Sequence, residues 1–105
     1  MKIKKVIFIC NYAANYGGNF LASLKKLSKF LNDKNICVEY IFPLCAREKN
    51  WEIDLSDFKI HYIRMDGAHL NHFLKKYLRN GDLIHTHFLD GRGLLGIKKL
   101  LHQKM

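Results

Sequence analysis

Five apolar residues in a row, Val6-Ile7-Phe8-Ile9-Cys10, break off at Asn11. A loop of small and polar residues follows and closes on Gly17-Gly18. Then Leu21, Leu24, Leu27 and Leu31 recur at helical spacing. This pattern predicts a strand over residues 4–10, a glycine loop, and a helix over residues 18–32. An uninterrupted apolar strand implies burial on both faces, as in a parallel sheet. The polar run Asn32-Asp33-Lys34-Asn35 reads as the turn that ends the helix.

The alternation continues down the chain. Residues 36–42 read as a second strand, stopped by Pro43, the single proline. Residues 44–57 are less regular, with a short helix predicted over 47–55. Residues 59–64 read as a third strand. Leu70, Phe73, Leu74, Tyr77 and Leu78 fit the amphipathic template of a second helix over residues 68–79. Asn80-Gly81 is its expected C-terminal stop. Residues 82–87, DLIHTH, form a fourth strand, and a last helix is expected from Gly91 or Gly93 to about His102. Strands alternating with helices predict one Rossmann-like α/β domain over residues 1–105, a parallel sheet of order 3-2-1-4 flanked by helices. Four strands are few for such a sheet, and the sequence ends on an apolar helix. The expectation is therefore the first part of a larger protein.

In such folds ligands meet the loops that follow the carboxyl ends of strands. Gly17 and Gly18 can adopt positive φ and let a phosphate approach the backbone. The same glycines would also serve a plain strand-to-helix turn, and the loop alone leaves both readings open. Neither G-x-G-x-x-G nor G-x-x-x-x-G-K-[ST] is present, and no cofactor is expected.

Composition narrows the class. With 49% hydrophobic residues the chain should pack a core rather than remain disordered. Eighteen Lys and Arg against nine Asp and Glu give a net charge of +9, which favours acidic partners. Those could be nucleic acid, anionic headgroups or phosphorylated small molecules. The three cysteines, Cys10, Cys37 and Cys45, include no C-x-x-C. Cys10 and Cys37 fall in predicted strands, where buried, reduced thiols are expected. The N-terminal apolar run is too short for a signal sequence, and no stretch approaches the roughly twenty apolar residues of a membrane span. A soluble, cytoplasmic protein is expected, whose basic surface could lie against a membrane.

Titratable residues offer several chemistries. His85 and His87 lie two apart and share a strand face, so they could chelate zinc. Asp90, His61 and the cysteines show no spacing that completes such a site, and no metal is expected. His69 and His72 fit a solvated helix face. No G-x-S-x-G elbow accompanies Ser23, Ser28 and Ser56. Asp54 and Asp57 fit loop or capping roles. Arg47 and Trp51 could line a binding site, although Trp51 is better suited to packing the irregular segment on the sheet.

Two segments together resemble a known family. The strand, Asn11-Tyr12, the small residues, Gly17-Gly18 and the Leu-rich helix are similar to the N-terminal opening of family 4 glycosyltransferases of the GT-B fold. Asp82-Leu83-Ile84-His85-Thr86-His87 resembles that family's D-hydrophobic-hydrophobic-H-x-H segment, about 65 residues further on. The resemblance spans residues 4–101. It implies an acceptor-side domain facing a separate donor-binding domain across a cleft. It implies that Gly17, Gly18 and Asn19 approach the diphosphate of a nucleotide-sugar donor. It further implies that His87 lies near the transferred sugar, and that Asn11, Tyr16 and Asp90 belong to the acceptor side. The partners implied are a nucleotide sugar and a glycan or lipid-linked acceptor of cell-surface polysaccharide synthesis. The family's E-x7-E motif has no counterpart in the chain, so it should catalyse nothing alone. Two other readings compete. The charge would suit a nucleic-acid-binding module, but the lysines are dispersed and no helix-turn-helix, zinc finger or RNP pattern occurs. An inert remnant of a split gene is the other.

Overall fold

The computed structural model describes residues 3–15, 18–49, 51, 55, 57–89, 91, 93–95 and 97. Four strands form one parallel sheet: β1 (Lys5–Cys10), β2 (Cys37–Pro43), β3 (Lys59–Ile63) and β4 (Asp82–His87). Their order is β3-β2-β1-β4, as the alternating pattern predicts. Two long helices, α1 (Gly18–Asp33) and α2 (Gly67–Tyr77), cover opposite faces.

The register explains the division of the core. Val6, Phe8 and Cys10 of β1 stand level with Val38 and Tyr40 of β2 and with Leu83, His85 and His87 of β4. The β1 and β2 members of this set pack against Leu21 and Leu24 of α1, together with Trp51, Leu55 and Phe58. Ile7, Ile9 and Ile41 face the other way, onto Leu70 and Leu74 of α2 and onto Leu78 and Ile97. Each face of β1 therefore has its own helix, which is why the strand is apolar from Val6 to Cys10.

β4 is less protected. It lies at the edge of the sheet, and Ile84 packs into the α2 core. On the α1 side Leu83 remains 47% exposed and His85 is exposed too. α1 lies over β1 and β2 and leaves this strip of β4 bare.

On the α2 side polar groups pair across all four strands. Lys5 Nζ lies 3.4 Å from Glu39 Oε2 and 3.5 Å from Asp82 Oδ2. His61 Nε2 and Glu39 Oε1 are 2.7 Å apart. Burial pushes the Glu39 carboxyl up, but its bond to His61 and the Lys5 charge outweigh this and hold it below its ordinary value.

Several details differ from the sequence reading. A 3-10 helix occupies Leu44–Glu48, directly after Pro43, and Trp51 and Leu55 are 3-10 helical too; the rest of the short helix expected over 47–55 lies largely outside the described residues. α2 ends at Tyr77, because Leu78 turns to extended backbone and inserts into the core. Gly81, with φ of 92°, therefore serves the turn into β4, closed by Asp82 N donating to Arg79 O at 3.1 Å, rather than capping α2. Cys37 is exposed rather than buried, since it opens β2 at its solvent end; Cys10 is fully buried and Cys45 exposed. On α1, Leu27 faces out and Ser28 faces in, where its hydroxyl bonds that of Tyr40. The last helix is helical at residues 91, 93–95 and 97; its expected end near His102 lies outside the described residues, as do Asp54 and Ser56. Among the described residues no helix is long and apolar enough to cross a membrane.

Candidate functional site

From β1 the chain runs one way to β2 and β3, and β4 joins from the other side. The carboxyl ends of β1 and β4 thus flank a topological switch point, where open α/β sheets form a crevice. Asn11 and His87 meet there. Asn11 N donates to His87 O at 3.0 Å, and Asn11 Nδ2 donates to Phe88 O at 3.4 Å.

The loop between β1 and α1 is fixed from its far side. Trp51 is buried and its Nε1 donates to Ala14 O at 2.7 Å. Lys49 Nζ donates to Asn15 Oδ1 at 2.9 Å. Trp51 thus packs this segment to the loop and the sheet, while Arg47 lies 5.2 Å over the Tyr62 ring. Gly18 opens α1 with φ of 58°, a left-handed conformation that strains any residue with a Cβ. The first-turn amides of Gly18, Asn19 and Phe20 have no partner four residues back inside the helix. Together with the helix dipole they favour an anion. Asn19 is exposed beside them. Gly17, Tyr16 and Asp90, the other positions drawn from sequence, lie outside the described residues.

His87 closes β4 on the α1 side. Its ring lines a pocket of about 140 Å³ with Phe20, Ser23, Leu24 and Leu27. Phe20 meets it edge-on at 5.2 Å, and the His85 ring lies 4.5 Å away, so the two histidines do share a face. His87 Nε2 is buried and has no hydrogen-bond partner among the described residues. Burial, and secondarily His85, push the His87 pKa below its ordinary value, so the ring is neutral at pH 7. A neutral imidazole can donate to or accept from a hydroxyl.

An aromatic cluster that the sequence reading did not single out surrounds this point. Phe20 contacts Tyr12 at 4.8 Å and Phe88 at 5.1 Å, and Tyr12 contacts Trp51 at 5.6 Å. Tyr12 and Phe20 flank one loop, but Trp51 and Phe88 come from distant parts of the chain, and only the topology brings all of them together. On α2, His69 pairs instead with Asp66, the helix cap, at 2.7 Å, and His72 is exposed. Among the described residues no group of three His, Cys, Asp or Glu could hold a metal ion. Comparisons of the chain with protein-family models, with curated proteins and with solved structures returned no match.

Proposed function

We propose that this chain is the acceptor-side, N-terminal part of a family 4 glycosyltransferase of the GT-B type. One observation carries the reading: Gly18, left-handed at the head of α1, and His87, at the end of β4, flank the same switch point. These are the two positions that the motif resemblance assigns to diphosphate and sugar. Cleavage of a nucleotide-sugar bond builds charge on the leaving diphosphate. Backbone amides at Gly18 and Asn19 would stabilise that charge without a metal. His87 would contact a hydroxyl of the transferred sugar, and Asn11, with Tyr16 and Asp90, would serve the acceptor. A donor-binding domain or partner chain completes the enzyme, which works in the cytoplasm at the inner face of the plasma membrane on glycan or lipid-linked acceptors. The chain alone transfers nothing.

The test has two arms. Adding UDP to the labelled chain should shift the amide signals of Gly18 and Asn19, weakly and saturably, and Gly18→Val should remove the effect by setting a branched side chain at positive φ. In an enzyme completed by a donor domain, His87→Ala should lower transfer by about 2–4 kcal/mol of transition-state stabilisation. Neutralising Lys25, Lys26 and Lys29 together should leave transfer nearly intact. Full transfer in both the His87 and Gly18 variants would sink the assignment. Strong duplex binding that falls steeply with salt and is lost in the lysine variant would favour a nucleic-acid module.

A further inference from the structure

The geometry points to Phe88 as a stacking platform for a pyranose ring of the acceptor, an inference that rests on the transferase reading above. Phe88 is 63% exposed, more than any other large hydrophobic side chain among the described residues. Its φ of 62° is left-handed. Glycine, and less readily Asn or Asp, takes that conformation; a bulky aromatic takes it only when its surroundings impose it. Burial is not the reason, since the ring faces water.

The surroundings that impose it are specific. Asn11 holds both carbonyls at this bend, His87 O through its backbone N–H and Phe88 O through Nδ2. Beneath the ring, Phe20 meets it edge-on at 5.1 Å and 65°, and Tyr12 supports it at 6.0 Å and 31°. An aromatic face is thus propped outward at the carboxyl end of β4, one residue beyond His87. Strain kept in place at the mouth of a crevice marks function more often than packing.

The chemistry of the ligand follows from the platform. A pyranose presents a face of C–H bonds and a rim of hydroxyls. The C–H face suits the electron-rich face of an exposed phenyl ring. The rim needs donors and acceptors, which the exposed Asn11 Oδ1 and Asn15 Nδ2 provide from the loop that carries Tyr12, their other amide atoms already bonding Phe88 O and Lys49 Nζ. A sugar stacked on Phe88 would stand next to His87, where the transferred sugar is expected.

Saturation-transfer NMR on the chain tests this, with methyl β-galactopyranoside and methyl β-glucopyranoside as probes and uridine as the competing planar ligand. Irradiating protein aromatic protons should saturate the C–H protons of one pyranoside face. Phe88→Gly should weaken binding about three- to tenfold. Its thermal midpoint should hold, because glycine relieves the left-handed φ. Phe88→Trp should bind at least as well as the parent. No transfer to either pyranoside, transfer to uridine in their place, or undiminished transfer in Phe88→Gly would overturn the proposal. So would a drop of more than about 5 °C in the midpoint of Phe88→Gly, which would assign the ring to packing. The two readings fail separately. Missing UDP shifts at Gly18 with intact pyranoside transfer sink the transferase, whereas UDP shifts without pyranoside transfer sink the platform alone.

Discussion

The Tyr40 hydroxyl lies beneath α1, where burial pushes its pKa up to about 12. It bonds Ser28 and reaches Leu24 O at 3.4 Å. Ser28→Ala removes the better partner of a buried hydroxyl and should cost about 1–3 kcal/mol in urea unfolding. Adding Tyr40→Phe should recover part of that loss, which a double-mutant cycle would measure. Burial moves His87 the other way, downward, and a pH dependence of stability follows. Its folded pKa lies below the unfolded one, so the unfolded chain takes up the proton first as pH falls. The associated stability is intact above the ordinary histidine range and declines as pH drops towards the folded value. Unfolding at neutral and mildly acidic pH should show this decline, and His87→Gln should flatten it. Phe20→Ala should let water reach the ring and move its NMR titration back up towards the ordinary value. Neither Ser28 nor Phe20 was legible in the sequence as more than a helix residue. Leu27 sits one place before Ser28 and fits the apolar spacing better; a tyrosine hydroxyl from another element decided which of the two turned inward.

α1 ends in a way the sequence half disclosed. Ile36 N donates to Leu31 O and Asn35 N to Asn32 O, each at 3.0 Å, with Asn35 left-handed at φ of 65°. This is a Schellman cap with asparagine where glycine is commonest, and Leu31 and Ile36 both pack against the α1-side core. Asn35→Ala should lose about 1 kcal/mol because alanine tolerates the conformation poorly, and Asn35→Gly should not. Thermal melts of the two variants would separate them. The polar run marked the stop, but not which residue turns left-handed. The strands were legible because β1 is apolar from Val6 to Cys10 and because α1 and α2 carry helical spacing between strands. The segment after β2 was not. Its Trp51 and Leu55 are both buried in the α1-side core, and Trp51 is held there by a bond to Ala14 O in the loop above, a contact that no local pattern discloses.

Taken together, the sheet order could be derived from alternation and crossover handedness alone, whereas the site could be derived only in part. Gly18 and His87 were visible as motif positions. The aromatic support of Tyr12, Phe20 and Phe88, and the closure of His87 Nε2, depend on distances between residues that no local pattern connects. The same distance in sequence governs how the molecule comes together and apart. Lys5 of β1 pairs with Cys37 of β2, but with Asp82 of β4 only at the far end of the chain. Closing that longer loop costs more chain entropy, so β4 should join late in folding. With one edge unpaired and one face bare, it should also be the first strand to open. Amide hydrogens of β4 should then exchange with solvent sooner than those of β1. Each opening carries His87 and Phe88 away from Gly18 while the other three strands stay paired. The candidate site would then be whole only while β4 is docked. A ligand that spans Gly18 and His87 would slow exchange along β4 more than anywhere else in the sheet.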